Sequence, residues 1–92
     1  MNATDALRVL LVAPAHGRRT VQHLAHDSAL PLDSVRAIVA ELRTLGFVRC
    51  SGKQQAKLPI AGAVVELTDR GRDHQTKAVA EAMAAGSKRR SA

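Results

Sequence analysis

Residues 31–48, PLDSVRAIVAELRTLGFV, carry the pattern that decides the fold of this chain. Apolar side chains recur there at helical spacing, which predicts a helix with one buried face. They are Val35, Ile38, Val39, Leu42 and Leu45. Asp33 or Ser34 is predicted to cap the first turn, because a side-chain oxygen there accepts hydrogen bonds from free backbone N–H groups. Gly46 accommodates the left-handed conformation that ends a helix, so an extended segment is predicted to follow.

The opposite face of this helix carries small side chains and arginines, where a typical solvated face carries Glu and Lys. Its members are Ser34, Arg36, Ala37, Ala40 and Arg43. Small residues allow a helix to approach the floor of a DNA groove, and arginine bonds to base edges or phosphates. This face therefore favours DNA recognition, and Arg36 is the first candidate for a base contact.

Length and composition narrow the function classes. The 92 residues suffice for one domain with a small core. A formal charge of +6 suggests an anionic partner, although many small soluble proteins are equally basic. Phe47 is the only aromatic residue, which argues against a protein that stacks single-stranded bases on aromatic side chains. The single cysteine, Cys50, forms no internal disulfide and fits a cytoplasmic protein.

Two further helices are predicted upstream. The first covers residues 2–13 and ends at Pro14. Its predicted inward side chains are Leu7, Leu10 and Leu11. The second covers residues 20–29, with Thr20 as its cap and Val21, Leu24 and Ala25 pointing inward. Arg18 and Arg19 precede it, where they either contact phosphates or lie solvated on the surface.

The second and third predicted helices resemble a helix-turn-helix of the DNA-binding type. Two steeply crossing helices nearly touch at one point, which suits the small residue Ala25, and the tight turn suits Ala29. Ala29 stands where such motifs usually have glycine, so the turn is expected to be less stable than with glycine. Leu30, Val35 and Ile38 are predicted to fill the wedge between the helices.

Residues 47–50 and 63–67 are predicted to form two strands around a basic loop, residues 51–62. This arrangement after a helix-turn-helix resembles the wing of a winged helix. The polar residues of the loop are Lys53, Gln54, Gln55 and Lys57. In a wing, Lys53 and Lys57 contact phosphates and position the protein on DNA. Pro59 is predicted to limit the length of the ladder.

Two motifs resemble the MarR family of winged-helix regulators. LTDRGRDH, residues 67–74, is similar to its strand-to-helix junction, Leu-Thr-x-x-Gly-Arg/Lys, and ELRTLGFV, residues 41–48, is similar to the end of its recognition helix. The resemblance covers roughly residues 20–74. It implies a mainly α fold with a small β-hairpin (α+β), ordered helix, helix, helix, strand, wing, strand, helix. Full-length MarR proteins are longer, with extra helices at both ends that build the dimer and the ligand pocket. This chain lacks most of these helices, so no small-molecule effector is predicted.

Residues 69–85 are predicted to form the fourth helix. Its small apolar side chains favour close helix–helix contact, which predicts a homodimer through this helix, with the first helix as a second contact. The predicted contacts are Ala78, Val79, Ala82 and Met83. The alternative is that this helix packs only on its own domain. The domain is predicted to cover residues 1–86. Residues 87–92 are predicted to form a basic disordered tail.

Catalysis and metal binding are not predicted. His23, His26 and Asp27 lie close together on one helix, but a metal site needs further ligands that no Cys or His pair is spaced to supply. Cys50 is interpreted as a small buried hydrophobe, with a redox switch as the alternative. No nucleophile–base set or Gly-rich phosphate loop is recognisable, so neither enzyme activity nor a cofactor is expected.

The sequence thus predicts a cytoplasmic protein that binds specific double-stranded DNA, as a homodimeric transcriptional regulator and most simply a repressor. Predicted base contacts are Arg36, Ser34, Ala37 and Asp33. Predicted contacts to DNA phosphates are Arg18, Arg19, Thr20, Arg43, Lys53 and Lys57. Gln54 and Gln55 in the wing are further predicted DNA-binding residues. The alternative is a winged-helix protein-interaction module, or a phage or plasmid accessory factor, that binds a protein partner.

Overall fold

The computed structural model describes residues 3–91, and within them the chain forms four helices and five strands. The helices are α1 (Ala3–Val12), α2 (Val21–Ser28), α3 (Leu32–Thr44) and α4 (Asp69–Ser91). The strands are β1 (Arg18–Thr20), β2 (Val48–Ser51), β3 (Gln54–Gln55), β4 (Leu58–Pro59) and β5 (Val64–Leu67). The predicted order of helices, strands and wing is confirmed, and the structure adds the short strand β1 between α1 and α2. In the part of the chain that is described, no helix is long and apolar enough to cross a membrane.

The strands form two antiparallel sheets. β5 is central in the larger sheet, between β1 and β2, with Arg18 opposite Glu66 on one side and Arg49 opposite Glu66 on the other. β3 and β4 form a separate two-residue ladder within the predicted loop. The Ile60 N–H donates to the Lys53 carbonyl at 3.1 Å and closes this ladder. We call residues 53–60 the wing.

The core lies between α1, α2, α3 and the larger sheet. Its fully buried side chains include Val9, Leu10, Val21, Leu24, Val35, Ile38, Val39 and Leu67. Leu7, Leu11 and Leu45 were predicted to point inward, and this is wrong because all three are exposed. The apolar residues of α1 cover two adjoining faces, so periodicity alone does not select the buried one. Leu10 is buried as predicted, and Val9 lies beside it on the core face.

The connection between α2 and α3 has the predicted helix-turn-helix geometry. Thr20 caps α2 as predicted, its Oγ1 accepting from the His23 N–H at 3.1 Å. Ala29 is left-handed, with φ 58° and ψ 34°. The predicted cap of α3 is wrong: Pro31 is the N-cap and makes no side-chain capping bond, so Asp33 and Ser34 lie inside the first turn. Proline has the backbone geometry that begins a helix, and it moves the start upstream.

The junction between β5 and α4 is bonded to the segment that leaves α3. Thr68 Oγ1 donates to the Gly46 carbonyl at 2.6 Å and accepts from the Gly71 N–H at 3.1 Å. At the other end, the predicted stop near residue 85 is wrong, because the backbone of α4 remains helical to Ser91. The alanine-rich sequence favours helix, and basic residues suit a helix C-terminus. The division into a domain and a tail at residue 86 stays a prediction.

Candidate nucleic-acid interface

Most of the outer face of α3 is open to solvent, and Arg36 and Ala40 are its partly buried members. Buried Val35, Ile38 and Leu42 fix the opposite face in the core, which turns the polar face outward. The exposed residues are Leu32, Asp33, Ser34, Ala37, Glu41, Arg43 and Thr44. Three of the four predicted base contacts therefore lie on an accessible surface. Glu41 adds a negative charge to this face that the sequence prediction had not considered.

Arg36, the first predicted base contact, is directed at the wing. Its side chain is only 15% exposed. Nε donates to the Pro59 carbonyl and Nη2 to the Gln55 carbonyl, each at 2.8 Å. Nη1 lies 3.3 Å from the Asp33 carboxylate, which is itself exposed. These two bonds direct the guanidinium toward the wing, and little of the side chain is exposed to solvent.

Arg43 and Gln54 form a second link between α3 and the wing. With the Gln54 amide oxygen oriented toward α3, it accepts from Nη1 and Nη2 of Arg43 at 2.8 and 3.1 Å. Both residues lie on the surface. The structure thus brings five predicted site residues of α3 and the wing into one neighbourhood: Asp33, Arg36, Arg43, Gln54 and Gln55.

The tip of the wing is a two-residue turn with an uncommon backbone. Ala56 and Lys57 both have left-handed φ values, 54° and 65°. Such a pair of φ values is typical of the type I′ turn, which usually carries Asn and Gly. Lys57 at the tip and Lys53 at the base of the wing are both exposed. The two predicted phosphate-binding lysines therefore project from one small hairpin.

The residues predicted around β1 belong to a different cluster. Arg18 Nε lies 3.0 Å from Glu66 Oε2, and Arg49 Nη1 lies 3.5 Å from Glu66 Oε1. Arg19 is exposed and donates to the carbonyl of Arg18, while Thr20 is used as the cap of α2. The charge of Arg18 is thus partly balanced on the sheet. Sequence reasoning missed Arg49 and Glu66, because their cross-strand relation becomes visible only when the register is known.

An apolar groove of about 670 Å³ lies between α1, the end of α3 and α4. Leu7, Leu42, Leu45 and Ala78 are among the side chains that line it. Phe47, at one side, stacks on the His74 ring with centroids 4.6 Å apart. Leu7 and Leu45 are exposed because they line this open groove.

The four predicted dimer contacts on α4 differ in accessibility. Ala78 is buried against the chain's own domain, whereas Val79, Ala82 and Met83 are exposed. Gln75 fastens α4 to the end of α1, since its Nε2 donates to the carbonyls of Leu10 and Ala13 at 2.9 and 2.6 Å. One face of α4 thus packs on its own domain, and a second apolar face is left exposed.

Cys50 is half-buried in β2. Burial raises the pKa of its thiol, and the positive charge of Arg43 offsets part of that increase. In residues 3–91, no group of three or more His, Cys, Asp or Glu side chains is arranged to hold a metal ion. A raised pKa leaves less thiolate near neutral pH than a free cysteine has, and an activated nucleophile requires the opposite shift.

Comparison with known proteins gives matches among solved structures. No protein-family model matches the chain, and no curated protein does. A multiple antibiotic-resistance repressor (MarR) from Listeria monocytogenes superposes with a TM-score of 0.74 at 20% identity, over 94% of this chain and 57% of that one. A MarR family transcriptional regulator from Silicibacter pomeroyi superposes with a TM-score of 0.70 at 25% identity, over 91% and 57%.

BpsR from Bordetella bronchiseptica, whose DNA binding is regulated by 6-hydroxynicotinic acid, superposes with a TM-score of 0.70 at 18% identity, over 96% of this chain and 67% of BpsR. The chain spans less than two thirds of the length of the first two structures. The chain therefore has the winged helix-turn-helix fold of the MarR-family transcriptional regulators, in agreement with the resemblance found in its sequence.

Proposed function

We propose that this chain binds specific sequences of double-stranded DNA and regulates transcription, as a homodimeric repressor. The observation that carries the proposal is the uncovered outer face of α3, which neither α4 nor the wing occludes at Ser34 and Ala37. A recognition helix must offer such a face, because bulky or covered side chains would keep its backbone out of the major groove.

The dimensions of α3 and the wing support groove binding. α3 has 13 residues, so it is about 20 Å long and narrow enough for a major groove about 12 Å wide. With α3 in the groove, Asp33, Ser34 and Ala37 are near base edges. Lys53 and Lys57 in the wing reach the flanking backbone, and Arg43 and Arg19 supply further phosphate contacts.

The exposed apolar face of α4 supports the homodimer. Met83 is 70% exposed, and Val79 and Ala82 lie beside it on the surface. One winged helix reads one half-site, so a dimer reads two half-sites about 34 Å apart. Met83→Glu is expected to convert the dimer to a monomer in sedimentation equilibrium, whereas Met83→Leu, which keeps the apolar surface, is expected to remain dimeric. Equal mass for wild type and Met83→Glu would exclude this interface.

No effector, cofactor or catalytic role belongs to the proposal. The regulation of BpsR by 6-hydroxynicotinic acid is a property of that protein. The single cysteine fits the reducing cytoplasm, the compartment in which we expect a bacterial-type regulator to meet DNA.

Selection from a pool of random duplex DNA at about 150 mM salt tests the proposal, because charge-driven retention weakens steeply with salt. We expect enrichment of a palindrome with half-sites about one helical turn apart. Lys53→Gln is expected to weaken binding to all DNA sequences equally and to reduce the slope of log K against log salt by about 1. Lys77→Gln, the same charge change on α4, is the matched control and is expected to leave the slope unchanged.

Two other outcomes contradict specific regulation. Retention without an enriched motif would identify a non-specific DNA-binding protein held by charge. Loss of all retention would favour the protein-interaction module, and the search would turn to a protein partner.

A further inference from the structure

We propose that Arg36 is a positioning residue that fastens the wing to α3, so that the recognition helix and the wing lysines meet DNA as one rigid unit. The consequence for DNA rests on the proposed function. The attachment of the wing is a property of the free protein and can be tested without DNA.

The contacts of Arg36 carry this inference. Two of its nitrogens donate to the Gln55 and Pro59 carbonyls, one on each strand of the wing, at 2.8 Å. Hydrogen bonds from a charged guanidinium are stronger than those between neutral groups. The side chain is mostly buried beneath the wing, which keeps water from competing for these bonds. One residue of α3 thus holds both strands of the hairpin.

The wing needs this support because its own hydrogen bonding is weak. An isolated two-stranded hairpin is marginally stable, and this one has a ladder of only two residue pairs. Pro59 has no N–H to contribute to the ladder. Ala56 and Lys57 hold left-handed φ values that residues with a Cβ rarely adopt. The bonds from Arg36 compensate for these deficits.

Positioning and base reading make opposite demands on the same guanidinium. Nε and Nη2 are directed at the wing, and Nη1 at Asp33. A base-reading arginine needs two of these donors for guanine. The wing uses Nε–H and one N–H of Nη2, and the remaining N–H groups belong to a side chain that is only 15% exposed, so a bidentate base contact requires the guanidinium to leave its place beside the wing. Lysine at this position separates the roles, because it keeps the charge but lacks the planar fork that reaches two acceptors.

Amide hydrogen exchange of the free protein tests the attachment. The Ile60 N–H, bonded across the wing, reports wing opening, and the Val21 N–H, bonded to the Ala63 carbonyl at 2.9 Å, reports the rest of the fold. In Arg36→Lys we expect Ile60 to exchange about tenfold faster, with Val21 unchanged. Arg8→Lys, at an exposed position on α1, is the control and is expected to change neither amide.

Two results would overturn the assignment. Unchanged exchange at Ile60 in Arg36→Lys would mean that the guanidinium does not hold the wing. Equal acceleration at Ile60 and Val21 would mean that Arg36 stabilises the whole domain and has no particular role for the wing.

The same variant on DNA separates positioning from base reading. If Arg36 positions the wing, Arg36→Lys keeps the enriched motif. The slope of log K against log salt then falls by up to about 2, because Lys53 and Lys57 are no longer held where they contact phosphates. Loss of preference at one base position with an unchanged slope would overturn the proposal in favour of a base contact. If the wild type retains no duplex DNA, the proposed function fails, and hydrogen exchange alone decides whether Arg36 holds the wing.

Discussion

Gly71, in the first turn of α4, packs directly on the backbone carbonyl of Phe47. A Cβ built on Gly71 would overlap the Phe47 oxygen and lie 2.9 Å from its carbonyl carbon. The Thr68 N–H donates to the same carbonyl at 3.0 Å. The glycine of the LTDRGR motif is therefore required for the close approach of two backbone segments, and this contact joins the start of α4 to the chain leaving α3.

Gly71→Ala is expected to lower the free energy of unfolding by about 2–3 kcal/mol or more, because neither backbone can yield without breaking hydrogen bonds. Urea denaturation measures the effect. Gly62→Ala is the matched control: a Cβ there meets no atom within 4 Å, so we expect a change within about 0.5 kcal/mol. Equal stability of the two variants would contradict the close-packing explanation.

Thr68→Val is expected to destabilise the domain by about 1–3 kcal/mol, since it keeps the shape but leaves the Gly46 carbonyl and the Gly71 N–H without this partner. Thr44→Val is the comparison, because Thr44 Oγ1 donates only back to Ala40 within α3 on an exposed surface. Thermal unfolding of both variants measures the difference. If Thr68→Val destabilises the protein no more than Thr44→Val does, the two hydrogen bonds of Thr68 contribute little to the stability of the domain.

Ala29→Gly is expected to stabilise the domain by about 1 kcal/mol, because Ala29 holds a left-handed conformation that costs an L-residue about that much. Ala37→Gly, at an exposed position inside α3, is expected to cost about 1 kcal/mol. The two substitutions are chemically identical, so opposite signs in chemical denaturation would isolate the backbone effect. A destabilising Ala29→Gly would disprove it.

Cys50 is expected to react slowly with iodoacetamide near neutral pH. Burial raises its pKa, so less thiolate is present at any pH below that value than for a free cysteine. The rate should rise with pH along a curve displaced to higher pH than that of the urea-unfolded chain. The raised pKa also makes stability depend on pH. The contribution of the thiol to the free energy of unfolding is fully present below the pKa of the unfolded chain, and it is lost as pH rises from that pKa through the higher pKa of the folded protein. Reaction of the folded protein at the unfolded rate would refute the burial effect.

The accessible face of α3 was predictable where it depends on local chemistry. The core face of α3 follows from the spacing of Val35, Ile38 and Leu42, and it leaves Ser34 and Ala37 outside. The direction of Arg36 was not predictable. Its acceptors are backbone carbonyls 19 and 23 residues away, and a carbonyl has no signature in the sequence.

The sequence by itself determined the order of the four helices and of the strands around the wing, the Thr20 cap and the tight turn at Ala29. Each depends on side-chain periodicity or on residues within a few positions of one another. Only the tertiary structure decided which face of α1 is buried, where Arg36 bonds and why Gly71 must be glycine. These features depend on which surfaces meet in space, and contacts between distant segments leave no local pattern from which they can be read.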